Sequence, residues 1–200
     1  MPEPTRVLVA GCGAIGSVVG AANGTAGFVV LKDSIRRGGT SDTMGKQTEV
    51  VLTEEAWNEI SRHAEDEFPE ECCGVVLSNG ITDRAQRLRN LQNELHALDP
   101  KTHPRTAAIA YNMDVRVLDS LLLEARKIGY TLKAFYHSHP NHPAYFSPED
   151  RDAATPFGEP TYPEAAQIVV SVYDRNVKSI KAFAWSSEKT DFVEVPIQHS

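Results

Sequence analysis

Residues 137–150 read HSHPNHPAYFSPED, which crowds three histidines, two acids and two serines into fourteen positions. His137 and His139 stand two apart at the end of an apolar-rich run, TLKAFYHSH, that reads as a strand. Side chains alternate across a strand, so both imidazoles leave the same face. Two imidazoles on one face are the start of a zinc site, although paired histidines at a strand end are also an ordinary surface feature. Ser147-Pro148-Glu149-Asp150 has the order of a helix start, with Ser at the N-cap, Pro at the first position and an acid at the third. That cap explains Asp150 without any metal. The two readings are compatible, because a carboxylate held in a first helical turn can face the preceding strand end. Asp150 then adds an oxygen donor to two nitrogens. Three protein donors leave zinc's fourth position for water, as catalytic sites require.

Hydrolysis at such a site also needs a base for the water. Glu149, Glu70 and Glu71 are candidates. The last two lie in FPEECCGVVL, directly before a buried-strand run, where a carboxylate can reach a site at a sheet end. The plain alternative is a solvated charge pair at a helix exit, and spacing does not choose among the three.

The elements that must position these groups follow from periodicity. Val50–Leu52 reads as a short strand. Thr53 can cap a helix with Trp57, Ile60, Ala64 and Phe68 at helical spacing, ended by Pro69. Residues 74–78 form a buried-strand run, and Asn79-Gly80 signals a hairpin into a more polar strand over 81–88. Residues 89–106 read mostly as loop, and AAIAY (107–111) as another short strand. Asp114 can cap a second helix lined by Val117, Leu118, Leu121, Leu122, Ala125 and Ile128, with Gly129 at its end. Residues 167–173 and 177–185 make a hairpin about Asp174-Arg175-Asn176, and DFVEV (191–195) closes the chain. Strands alternating with two long helices give a mixed α/β or α+β class.

The remainder of the chain is less informative. Its 200 residues carry a net charge of −7, and the absence of a basic stripe argues against nucleic acid or an anionic membrane as partner. Cys12, Cys72 and Cys73 are an odd set with an adjacent pair, which suits free thiols in a reducing compartment. VAGC at 9–12 mimics a lipoprotein box, but the apolar run before it is too short for a signal peptide. The Gly-rich run after it is too polar to span a membrane. A soluble, cytoplasmic protein is expected. Gly11, Gly13 and Gly16 form GxGxxG with Asp33 about 20 residues on. This segment resembles the first strand-helix-strand of the adenylating enzymes that activate ubiquitin-like sulfur carriers. It is too short for a nucleotide-binding sheet, so residues 1–33 are expected to be an appendage or remnant, and 34–48 a linker.

Taken together, Pro69-Glu70-Glu71-Cys72-Cys73-Gly74, His137-Ser138-His139-Pro140 and Ser147-Pro148-Glu149-Asp150 resemble the JAMM metalloproteases, also called the MPN-plus or JAB family. The family pattern is P-x-E-x-C-G, then H-[ST]-H-P, then S-x-x-D, with ten residues between the second His and the Asp. The resemblance runs from about Glu49 to Val195, and the expected catalytic domain is 49–197. It implies a cytidine-deaminase-like fold with a mixed sheet flanked by helices. It also implies zinc held by His137, His139 and Asp150, Glu71 as the general base, and Ser147 as a donor to the oxyanion. Cys73 falls on a packing position. Amide hydrolysis at the Gly-Gly tail of a ubiquitin-like or sulfur-carrier protein is the implied activity, in a compact, prokaryote-like member without a long insertion after Asp150. Other readings are a catalytically inactive scaffold of the same fold, an adenylating-enzyme fragment, and a DNA-repair branch that carries Asn where this chain has Ser138.

Overall fold

The computed structural model describes residues 48–200. The GxGxxG segment with Asp33, Cys12, and all of the expected linker but Thr48 lie outside the described residues. Element order is β1 (Val50–Leu52), α1 (Glu54–Glu67), β2 (Cys73–Ser78), β3 (Asp83–Leu88), α2 (Gln92–Leu98), α3 (Val115–Lys127), β4 (Thr131–Pro140), α4 (Pro148–Ala154), β5 (Ala166–Tyr173), β6 (Asn176–Ser186), β7 (Asp191–Val195) and β8 (Ile197–His199). Six strands form one mixed sheet in the order β3-β2-β4-β5-β6-β7, and β1 and β8 form a parallel pair beside it. Only the β4–β5 contact of the large sheet is parallel, and the connection between those strands carries α4. The fold is therefore the expected mixed α+β class.

Strand alternation sorts the core into two layers. Val76, Ala134, Tyr136, Ile168 and Val170 face α1 through Ile60 and Ala64. Cys73, Val75 and Leu77 face α3 through Leu118, Leu122 and Ala125. Burying each such aliphatic side chain is worth about 1.5–3 kcal/mol, so both helices are held by these stripes. Tyr136 is fully buried on the α1 side, with its hydroxyl 2.9 Å from Nδ1 of His63. It lies beneath Gly74, where a Cβ would come within 2.4 Å of both the Tyr136 ring and the Gln86 carbonyl oxygen.

Several elements differ from expectation. Residues 92–98 are helix α2 rather than loop, a short helix in which Gln92 is the buried residue. AAIAY forms no strand. Its Ala107 carbonyl instead accepts from the Glu71 N–H, at 2.7 Å. Thr53 precedes α1 without a capping side-chain bond, and its N–H donates to the buried Asp83. Val117 and Ile128 are exposed, so the apolar stripe of α3 is narrower than its sequence suggests. DFVEV does not end the structure, because Ile197–His199 returns to pair with β1. Among the described residues, no helix is long and apolar enough to cross a membrane.

His63 carries a pH dependence. Burial, with Arg87 nearby, lowers its pKa from 6.5 to about 4. The unfolded chain then binds the extra proton between those values, so this contribution to stability is complete above pH 6.5 and is lost as pH falls toward 4. The loss is at most about 3 kcal/mol. In urea titrations from pH 7 to 4, His63→Asn should flatten the fall in stability relative to the wild type. Parallel profiles would show that His63 is not the group responsible.

Candidate metal centre

The site sits at the carboxyl end of β4, where that strand runs between antiparallel β2 and parallel β5. Strand ends at such a change of direction form crevices that loops can line. His137 and His139 lie on the α3 side of β4, as their spacing requires. His137 is buried and stacks on Tyr111 with ring centroids 4.6 Å apart. His139 packs edge-on to Tyr145 and has Nδ1 3.1 Å from the Pro143 carbonyl oxygen. A proton on that nitrogen donates to the carbonyl and leaves the Nε2 lone pair directed inward.

Helix α4 delivers the third donor. Ser147 Oγ accepts from the Asp150 N–H at 3.0 Å, and Asp150 Oδ2 accepts from the Ser147 N–H at 2.8 Å, forming a capping box. The box fixes the Asp150 side chain while its other oxygen faces His137. Among the described residues, His137, His139 and Asp150 are the group of metal-binding side chains whose donor atoms converge. The two Nε2 atoms are 3.1 Å apart, His137 Nε2 lies 3.5 Å from Asp150 Oδ1, and His139 Nε2 lies 3.8 Å from Asp150 Oδ2. A tetrahedral zinc with bonds of about 2.0–2.1 Å places its ligand atoms about 3.3–3.4 Å apart, a spacing that the two imidazoles and the His137–Asp150 pair approach, and two nitrogens with a carboxylate suit the ion in type.

Glu71 leaves the start of β2 toward the same crevice and is 7% exposed. Its carboxyl is pushed up to about 8 by burial, assisted by the negative Asp150, while His137 and Arg105 oppose the shift. Burial disfavours charge on His137, but Asp150 and Glu71 outweigh it and raise its pKa. His139 is lowered to about 4 by burial and by the neighbouring His137. The paired imidazoles therefore accommodate one proton more readily than two.

The structure separates the candidate bases. Glu70 accepts from the Asn93 side-chain amide at 2.7 Å, at the protein surface. Glu149 pairs with Arg105, which lowers its pKa. Glu71 and Glu149 both line the crevice with His139, Ser147 and Asp150, and of the two Glu71 is the buried one. His142 is exposed and contributes to the rim of the crevice. Burial pushes the Cys72 thiol up to about 12 and that of Cys73 well above its usual value, so neither is a thiolate nucleophile at neutral pH.

Sequence reasoning missed three contributors and gave Ser138 no structural role. Tyr111 supports His137, while Arg105 and Ile109 line the crevice from the loop after α2. Ser138 is buried, with Oγ accepting from the Cys72 N–H at 2.8 Å and its own N–H donating to the Cys72 carbonyl at 3.1 Å. A serine between two histidines was available as a signal, since its side chain must leave the opposite face of β4.

The family model described as prokaryotic homologs of the JAB domain matches residues 53–186. A solution structure of a Desulfitobacterium hafniense protein is similar at 23% identity, covering 76% of this chain and 92% of that one, with a TM-score of 0.56. A Salinibacter ruber protein gives 23% identity, coverage of 76% and 91%, and a TM-score of 0.47. A JAB1/MPN domain protein from Archaeoglobus fulgidus gives 17% identity, coverage of 74% and 98%, and a TM-score of 0.42. No curated protein sequence matches the chain.

Asp150→Asn tests the donor set. The amide keeps an oxygen for the Ser147 N–H, so the melting temperature should move little. Zinc affinity, measured by competition with a chromophoric chelator, should fall by more than the roughly 10–100-fold typical of losing an outer contact. Undiminished affinity would remove Asp150 from the ligand set.

Proposed function

The chain belongs to the prokaryotic homologs of the JAB domain, and on that premise we propose that it is a zinc-dependent metallopeptidase. Its proposed substrate is an amide bond at the C-terminal tail of a ubiquitin-like or sulfur-carrier protein. The observation that carries the reading is the convergence of His137, His139 and Asp150 beside a buried, crevice-lining Glu71. A scaffold that only binds partners has no need for this set.

His137, His139 and Asp150 would hold the zinc, whose chemistry when bound would be Lewis-acid polarisation of a carbonyl and a lowered pKa, toward about 7, for water. Glu71 takes a proton from the attacking water and returns it to the leaving amine. Its low exposure keeps bulk water from competing for that proton. Ser147 Oγ already accepts from the Asp150 N–H, so its hydroxyl proton is oriented away from the helix and can donate to the oxygen that becomes negative. Tyr145 and Ile109, both exposed at the rim, offer apolar surface to a narrow, extended tail. The connection from α4 to β5 spans residues 155–165, which leaves the crevice without a large covering insertion. A cytoplasmic setting suits the free, buried Cys72 and Cys73.

The test incubates zinc-loaded protein with a panel of ubiquitin-like fusions, with and without chelator. Cleavage should require the metal. Glu71→Gln should retain stoichiometric zinc and lose about 10²–10⁴-fold in kcat, the range for removing a general base. If the loaded wild type cleaves nothing in a broad panel, the peptidase reading fails.

A further inference from the structure

The base-bearing segment leaves the sheet before β2, and its placement rests on side chains rather than on a strand ladder. Asn90, between β3 and α2, uses each side of its amide twice. Its Nδ2 donates to the Glu71 carbonyl at 2.9 Å and to the Ala110 carbonyl at 3.1 Å. Its Oδ1 accepts from the N–H groups of Gln92 and Asn112, both at 3.0 Å. One side chain thus joins the Glu71 peptide, the start of α2 and the segment that carries Tyr111, the ring stacked on His137.

Neighbouring residues complete the brace. Asn93 Oδ1 accepts from the Ala107 N–H at 2.8 Å, and the Ala107 carbonyl accepts from the Glu71 N–H at 2.7 Å. Gln92, fully buried, donates from Nε2 to the Arg105 carbonyl at 2.7 Å. The Glu71 peptide is therefore held at both ends, its N–H by a carbonyl that Asn93 steadies and its C=O by Asn90 itself. With both peptide groups held, the Glu71 side chain has few directions other than into the crevice. A misplacement of about 1 Å at a reacting group can cost on the order of 10²-fold in rate.

We propose that Asn90 is a positioning residue for the Glu71 base, and that the Asn90-Leu91-Gln92-Asn93 run at the start of α2 is the brace that sets the base relative to the metal donors. The catalytic part of this inference rests on the peptidase reading above, whereas the structural part does not. Asparagine suits the position because it alone among residues of its size supplies two donors and two acceptor lone pairs. Aspartate keeps the acceptor side and turns an oxygen against the carbonyls of Glu71 and Ala110.

Asn90→Asp is the variant to test. In the metal-free protein, amide hydrogen exchange at Glu71 should accelerate by at least about tenfold, while Val75 and Val76 within β2 stay protected. In the zinc-loaded protein, kcat on a cleaved fusion should fall about 10–100-fold with KM within about twofold and zinc content unchanged. Placed on Glu71→Gln, the substitution should add no further loss, because it acts through a base that is already gone. Asn90→Ser, which introduces no charge, should move each readout the same way by a smaller amount and replaces Asn90→Asp if that variant does not fold. Unchanged exchange at Glu71, or a kcat loss that persists in full on Glu71→Gln, overturns the proposal. If the wild type cleaves no fusion, the peptidase reading fails alone, and the exchange measurement still decides whether Asn90 holds Glu71.

Discussion

The two imidazoles of the candidate metal centre depend on the register in which β4 lies between β2 and β5. A shift by one residue would turn His137 and His139 to the α1 side and bury Ser138 among the donors. Three contacts oppose that shift. Cys73 pairs with His137, and Gly74 with Tyr136, at the last turns of the β2–β4 ladder. The Tyr136 ring occupies the space that any side chain at position 74 would fill, so the glycine and the tyrosine fit only opposite one another. Beyond the ladder, Ser138 Oγ takes the Cys72 N–H and so acts as the next rung where no backbone carbonyl is offered. This contact also sets how far Glu71, one residue earlier, stands from His137.

The third donor is positioned by different physics. Asp150 belongs to a helix of seven residues, too short to be stable by itself. Its capping box satisfies two otherwise unpaired N–H groups and fixes the carboxylate with the same two hydrogen bonds. Cap and candidate ligand are thus one arrangement of atoms rather than competing explanations. The Arg105–Glu149 pair, partly exposed, adds little energy but ties the loop after α2 to the first turn of α4.

What could be read from the chain alone was what short-range periodicity encodes. The alternation of TLKAFYHSH placed both imidazoles on one side, and SPED announced the helix start that carries Asp150. The run GVVLS, buried on both faces between α1 and α3, marked itself by continuous apolar character. The exposed Val117 and Ile128 show the limit of the same method, because an apolar residue at helical spacing still needs a facing layer to be buried. β8 escaped notice since three residues, IQH, have no period, and they become a strand through pairing with Val50–Leu52 some 147 positions away.

The choice between Glu70 and Glu71 shows why the rest was not legible. Both residues precede the same strand, and no local rule separates them. What does is a set of hydrogen bonds from residues 90–93, whose sequence reads as loop, and from 107–112, whose apolar AAIAY reads as a short strand. Side-chain amides there satisfy backbone groups that a sheet would otherwise pair, so the chain can turn away from regular structure while the Glu71, Ala107 and Ala110 peptide groups stay bonded. Such bonds leave no periodic trace, because each depends on one side chain meeting one distant peptide. Glu70 meets Asn93 at the surface, and Glu71, with its peptide held from both sides, has the buried crevice left to occupy. The placement of Glu71 in the crevice is thus a tertiary property, and it becomes visible only when α2 is seen to be a helix whose first residues reach back toward β2.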